Sequence, residues 1–362
     1  MARGACGVQM KKTLPSLRWV VLAALALAPF VLPVFWLQNI FAKAAVFGIV
    51  ALSLSFLNTY GGMVSMAQMA AAGLAAYAMA YTSHNGSDLG VPLPWPLAAL
   101  TALTIGTVFG ALTGWIAART RDVYLLMLTL AIGMCVFSFA QQNTELFNAF
   151  DGINGVIAPR LGHLSLNAPI PFYVLSVGLA WLLLRLVEYV VRTPFGLALQ
   201  GLRDSDRRLA ALGYRVTLHK VAAFALAGFI ASVGGILMVW YQGQIAPGSV
   251  GLAAATNILV IAVLGGLRRP AGAFAGALVF VLLQTFASDL FDRDRYNTLI
   301  GAVFLLVVLF LPSGVLGLTD LVPRLRGAAG RVTQRSNPHV ILDSLTKTKN
   351  QETNENVPQN RL

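Results

Sequence analysis

Between Arg192 and Lys220 the chain gathers six cations, Arg192, Arg203, Arg207, Arg208, Arg215 and Lys220, around Leu209-Ala210-Ala211-Leu212-Gly213, a short helical sequence with a glycine stop. Guanidinium groups interleaved with Asp204 and Asp206 do no covalent chemistry by themselves. They make a charged, hydrogen-bonding surface of the kind offered to a soluble partner. The competing reading is an ordinary basic loop held on one side of a membrane by lipid charge. A second set of polar residues is sparse and set in apolar sequence: Ser53, Ser55, Asn58, Ser65, Gln68, Thr129, Ser138, Asn257 and Gln284. Such hydroxyls and amides hydrogen-bond a small zwitterion weakly, or bond neighbouring helices to one another. Ser65 and Gln68 are three apart, a spacing that predicts a shared helix face. They follow Gly61-Gly62, where freed backbone groups would line a cavity; a tight turn or a packing notch is the plainer reading of the pair. Met63, Met66 and Met69 would give such a cavity walls that accept aliphatic groups.

The elements that must position these residues are set by composition. Hydrophobic residues make up 57% of the 362 positions and charged residues 11%, and mean hydropathy is +0.72. A water-soluble domain of this size cannot hide so much apolar surface, so the chain reads as a polytopic all-α membrane protein. At roughly 20 residues per crossing the sequence predicts ten helices, about 18 to 37, 41 to 59, 63 to 82, 96 to 118, 123 to 140, 170 to 190, 219 to 240, 253 to 267, 271 to 290 and 297 to 317. The pair flanking Gly61-Gly62 is alternatively one broken helix. The net charge of +12 would suggest nucleic acid in a soluble chain, but here the cations sit in short loops beside apolar spans. With both termini inside, 21 lysines and arginines fall on the cytoplasmic side, against Lys43, Arg160, Arg293 and Arg295 outside and Arg185 within a span.

Residues 1–17 then form a cytoplasmic N-terminus, 18–318 the membrane domain and 319–362 a polar tail rich in Asn, Gln, Thr and Lys that reads as disordered. Lys11-Lys12 before an apolar run and Ala26-Leu27-Ala28 resemble a signal peptide. The apolar character continues through Leu37, which favours a retained first helix. Cys6 and Cys135 are the two cysteines, too few for a disulfide framework. Cys135, Trp19 and Trp36 read as lipid-facing or interfacial. The rows Gly106, Gly110, Gly114 and Gly272, Gly276 read as helix contact faces.

All fourteen acidic residues and all four histidines lie in loops, tails or span ends, whereas proton- or ion-driven carriers keep such groups at mid-membrane depth. None of the six lysines follows a glycine, so a phosphate-binding Gly-Lys pair is missing. Active transport would therefore draw on an ATPase in a separate chain. No nucleophile-base or metal-ligand constellation falls within the spans, which speaks against a membrane enzyme.

The run from Gly196 through Arg203-Asp204-Ser205-Asp206-Arg207-Arg208-Leu209-Ala210-Ala211-Leu212-Gly213-Tyr214 and Lys220 to Gly228 closely resembles the coupling loop of the inner-membrane permease subunits of bacterial branched-chain amino acid ABC importers, the LivM type. Four more segments resemble that family in its own order. They are Asn58 to Gln68, with its Gly-Gly-x-x-Ser-x-x-Gln pattern; Asp151-Gly152-Ile153-Asn154-Gly155; Gly265-Gly266; and Phe310-Leu311-Pro312-Ser313-Gly314-Val315-Leu316-Gly317. Two departures stand out. Arg207-Arg208-Leu209 occupy the place of the Glu-Ala-Ala that opens the general importer motif, so the partner surface differs in charge. Arg268-Arg269-Pro270 follow Gly265-Gly266-Leu267 where the family has a small residue, which predicts loose helix packing at that turn.

The resemblance implies a type II ABC importer-like permease that works by alternating access and forms no covalent bond. Its partners would be a second permease subunit, two cytoplasmic ATPases that bind the ATP, and an extracytoplasmic solute-binding protein; the permease itself would hold no cofactor or metal. Coupling to the ATPases falls to Arg203, Asp204, Asp206, Arg207, Arg208, Ala210, Ala211 and Gly213. A substrate path falls to Asn58, Gly61, Gly62, Ser65, Gln68 and Asn257. The implied cargo is a branched-chain amino acid and the implied location the bacterial inner membrane. Urea or short amides are the alternative cargo, and a stand-alone carrier or channel the alternative class.

Overall fold

No proline or paired glycine interrupts the apolar run after Pro33 until Gly61-Gly62, and the chain forms one helix there, α1 (Trp36–Gly61). Its first turns, Trp36–Ala42, are π-helical. The computed structural model describes residues 33–83, 90–91, 93–120, 122–161, 164–266 and 269–290, together with positions 29 and 301. The remaining described helices are α2 (Gln68–Thr82), α3 (Trp95–Ala117), α4 (Asp122–Gln142), the single turn α5 (Thr144–Phe147), α6 (Pro169–Arg192), α7 (Pro194–Asp204), α8 (Asp206–Ala211), α9 (Val216–Gln242), α10 (Leu252–Gly265) and α11 (Gly272–Leu290). Among the described residues, six segments are long and apolar enough to span a membrane, α1, α3, α4, α6, α9 and the stretch Pro247–Gly265. Eight of the ten predicted crossings therefore coincide with described helices. The first and last, with the N-terminal segment, the tail, Cys6, Trp19 and the 310–317 segment, lie outside the described residues.

One predicted boundary is wrong. A break was expected between 37 and 41, with Lys43 in an outer loop, but helix runs straight through. Asn39, within this continuous helix, takes a hydrogen bond from Tyr241 of α9 at 3.4 Å. Lys43 sits half-buried within α1 and leaves the tally of outer-loop cations.

Helices α1 and α9 form the core of the bundle, with α2 and α3 packed on α9 and α6, α10 and α11 on α1. Lipid tails are as apolar as leucine, so contact between such helices depends on close backbone approach rather than on hydrophobic driving force. The glycine rows supply it. A β-carbon at Gly110 of α3 would lie 2.9 Å from Gly228 Cα on α9, and one at Gly114 would lie 2.6 Å from Phe224 Cβ. On α11, a β-carbon at Gly272 would lie 2.6 Å from the carbonyl oxygen of Gly265, and one at Gly276 would lie 2.9 Å from Gly265 Cα. Helices α10 and α11 thus pack tightly at the turn where Arg268-Arg269-Pro270 predicted looseness. The glycines themselves make the contact, so the arginines need not fit between the helices.

Hydroxyls on the buried faces mostly bond back into their own helices: Ser53 to the Val50 carbonyl at 2.6 Å, Thr113 to Gly110 at 2.8 Å, Ser232 to Gly228 at 2.6 Å. At the far end of α9 from the basic loop, two ribbons of two-residue strands join the irregular segments. Strand β1 (Ile153–Asn154) pairs antiparallel with β4 (Gln244–Ile245), and β2 (Arg160–Leu161) with β3 (Leu164–Ser165). The first ribbon fastens the Asp151-Gly152-Ile153-Asn154-Gly155 motif to the end of α9.

Candidate functional site

The basic loop is two short helices. Pro194 at the first position of α7 starts it without needing an N–H partner. Helix α8 opens at Ser205, whose hydroxyl accepts the Arg208 N–H at 3.4 Å, with Asp206 in the first turn, where its charge suits the helix N-terminus. It ends before Gly213 at φ +86°, the stop that the sequence placed there.

One side of the pair is buried and the other faces out. Leu199, Leu202 and Leu209 are buried, whereas Leu197, Arg207, Arg208, Ala210, Ala211 and Leu212 are exposed, Leu212 at 75%. Asp204, at the end of α7, is exposed as well. Three rings brace the loop from its ends: His219 stacks on Phe195 at 5.9 Å and meets Tyr214 edge-on at 5.5 Å. Asp206 does not face outward. Its carboxylate pairs with the Lys220 ammonium at 3.0 Å, and Lys220 is 5% exposed. This ion pair fixes α8 to the first turns of α9. It joins residues fourteen apart, and sequence spacing alone gave no sign of it.

A further contact was equally hidden. The sequence assigned Gly61-Gly62 to a substrate path and Arg203 to partner docking, yet the structure brings them together. Arg203 Nη1 donates to the Thr59 carbonyl at 2.6 Å. Gly62, at φ +65°, ends α1 with its N–H on the Asn58 carbonyl at 3.1 Å, and the Met63 N–H bonds Leu57 at 3.2 Å. A β-carbon at Gly62 would lie 3.0 Å from Arg203 Cγ, and one at Gly61 would lie 3.5 Å from Leu199 Cδ1. Helix α7 therefore lies directly on the glycine break, and its Arg203 guanidinium caps the Thr59 carbonyl in the last turn of α1.

Beyond Gly62 the chain is non-helical to Ser65 and turns at Met66 and Ala67 before α2 begins at Gln68. Ser65 and Gln68 accordingly do not share a helix face: Ser65 belongs to the irregular segment and Gln68 opens the helix. The left-handed turn at Gly62 delays the restart by a full turn, which is the reason that the three-residue spacing misleads. Irregular backbone at membrane depth needs partners for its amides, and Thr129 of α4 provides one. Its Oγ1 accepts the Met66 N–H at 3.1 Å and donates to Leu126 at 3.1 Å. Ser65 and Gln68 are buried, at 0% and 2% exposure, and Ser65 Oγ and Gln68 Oε1 have no hydrogen-bond partner; Ser55 Oγ and Gln284 Oε1 are in the same position. Met66, Leu130, Gly133, Met134, Val250 and Leu252 line a small apolar cleft between the irregular segment, α4 and the start of α10, and neither Ser65 nor Gln68 is among its lining residues. Asn58 is half-buried in the last turn of α1, and Asn257 is half-buried on α10. Among the described residues no side-chain hydrogen bond joins Asn257 to Asn58, Ser65 or Gln68. None holds a cluster of three or more His, Cys, Asp or Glu able to bind a metal.

The family described as "Branched-chain amino acid transport system / permease component" has a model that matches residues 36–309. The high-affinity branched-chain amino acid transport system permease protein LivM of Salmonella typhimurium is 27% identical over 307 residues, covering 78% of this chain and 68% of that protein. BraD of Pseudomonas aeruginosa, a permease protein of the same kind of system, is 26% identical over 284 residues, covering 74% and 90%. The ribose import permease protein RbsC of Haemophilus influenzae is 25% identical over 295 residues, covering 78% and 86%. No solved structure matches the chain.

Proposed function

The chain belongs to the branched-chain amino acid transport permease family, and from that premise we propose that it carries branched-chain amino acids into the cytoplasm by alternating access. Separate ATPase subunits bind the ATP and dock on α7 and α8; a second permease completes the pathway, and a solute-binding protein delivers cargo at the ribbon end. The chain sits in the bacterial inner membrane with the basic loop and both termini in the cytoplasm, and it makes and breaks no covalent bond. The observation that carries this reading is the two-sided loop: leucines and an ion pair secure it to the bundle, while Arg207, Arg208, Ala210, Ala211 and Leu212 stay exposed. Apolar and guanidinium groups together are what protein interfaces favour.

Cargo is supported by the family description and by the LivM and BraD relatives. Ser65 and Gln68 add two buried acceptors without partners, which would serve a zwitterion once the pathway opens. Labelled leucine, ribose and urea are offered to cells deleted for this chain and then complemented. Leucine uptake falls on deletion and returns on complementation. Normal leucine uptake in the deletion with ribose or urea uptake lost would overturn the cargo while leaving the permease in place.

A further inference from the structure

The residues of the basic loop divide by the direction in which they point. Arg207, Arg208, Ala210 and Ala211 are exposed, Asp206 turns to Lys220 of α9, and Arg203, exposed along part of its side chain, reaches the Thr59 carbonyl of α1 with its guanidinium. We propose that Arg203 and Gly62 form a transmission joint: α7 grips the broken end of α1 and moves the irregular segment that carries Ser65 and Gln68, while the Lys220–Asp206 pair keeps α8 in step with α9. This rests on the coupling role proposed above and adds the route by which the stroke reaches the cargo segment.

The geometry favours a joint over a passive cap for three reasons. First, the bond is charge-assisted, donated by a guanidinium to the main-chain carbonyl of Thr59 at 2.6 Å, so it holds backbone to loop without relying on a mobile side chain of α1. Second, Gly62 leaves no gap: a β-carbon there would meet Arg203 Cγ at 3.0 Å and Arg203 Cβ at 3.5 Å. A push on α7 therefore acts on the backbone of residue 62 at close range. Third, the chain after Gly62 is irregular through Ala67, so displacement of its start is not resisted by a helical hydrogen-bond ladder. Thr129 restrains its far end at Met66. Ser65 thus lies between a moving point and a restrained one. Arg203 and Gly62 are positioning residues in this account and need not touch the cargo.

The test uses the complex purified with its ATPase subunits in proteoliposomes, on a background with Cys6→Ser and Cys135→Ser. Compared at equal ATPase content and per ATP hydrolysed, Arg203→Ala should lower the leucine moved by about tenfold, the scale of a lost charge-assisted bond. The 3.5 Å separation lies within the range of Cβ atoms joined by a disulfide. The double variant Gly62→Cys with Arg203→Cys should therefore be uncoupled when reduced and recover coupling when oxidised, because the covalent link replaces the hydrogen bond. One preparation supplies both states, so misfolding cannot account for a difference between them. Normal coupling in Arg203→Ala, or no recovery on oxidation, would overturn the joint. Failure of the unaltered complex to couple uptake to ATP would instead overturn the permease reading on which the joint rests.

Discussion

Gly62 and Gly213 both have a left-handed backbone, but their surroundings differ. Nothing lies within 4 Å of a β-carbon built at Gly213, so any cost of substitution there comes from conformation alone. Valine at φ +86° is strained by about 1–2 kcal/mol, enough to unwind the end of the six-residue helix α8. Gly213→Val should abolish most leucine uptake while membrane insertion, followed by immunoblot, is unchanged. Gly213→Asn, which tolerates this conformation, should retain uptake. Equal uptake in all three proteins would remove the loop from the transport stroke. Thr129 offers a second test at this scale. Thr129→Val leaves the buried Met66 N–H without its acceptor, at a cost of about 1–3 kcal/mol, whereas Thr129→Ser keeps it. The valine variant should unfold at a lower temperature in detergent, and the serine variant at close to the original.

Among the elements, α3 and α9 depend on one another through backbone proximity. Leucine at Gly110, where a β-carbon would lie 2.6 Å from the Phe224 carbonyl oxygen, must push the two helices apart, at a cost of about 1–3 kcal/mol or more. Gly110→Leu should reduce the yield of folded protein in size-exclusion profiles. Gly178→Leu on α6, where nothing lies within 4 Å, should not. A similar yield for both would show that proximity at Gly110 is not limiting. These elements were the most legible part of the sequence, because long apolar runs and glycine rows have few alternative uses in a membrane. The stop at Gly213 was legible for the same reason, since a glycine after Leu209-Ala210-Ala211-Leu212 has a clear local meaning. What escaped was set by contacts distant in sequence: Asn39 bonded to Tyr241, Thr129 to Met66, Arg203 to Thr59. Thr129 suggested a pathway and Arg203 a docking surface when read with their neighbours alone, and each has a partner on another part of the chain. Ser65 was misplaced because a left-handed residue resets helical phase, which spacing rules cannot anticipate.

At the scale of the whole molecule, the basic loop and the first ribbon lie at opposite ends of α9, and the proposed topology puts them on opposite sides of the membrane. Single cysteines at Ser205 and Asn154, on a background with Cys6→Ser and Cys135→Ser, should react with impermeant reagent from the cytoplasm and from outside, respectively. Labelling of Ser205→Cys in intact cells would invert the topology and remove the ATPase docking with it. The pathway itself predicts a division of labour with the delivery protein. Ser65→Ala or Gln68→Ala should lower maximal leucine uptake more than the concentration giving half of it, and the reverse pattern would put the affinity in this chain. Helix α9 joins the two sides as a single rod. Its 27 residues reach about 40 Å, with the Lys220–Asp206 pair near one end and the β1–β4 hydrogen bonds just beyond the other. Under the coupling proposed above, a rod held at the ribbon and driven at the loop acts as a lever, and each degree of tilt would carry the loop end through about 0.7 Å. A tilt of a few degrees would then displace the loop end by more than the length of a carbon-carbon bond while leaving the ribbon in register, so the larger travel would fall at the loop end and the ribbon end would keep its shape.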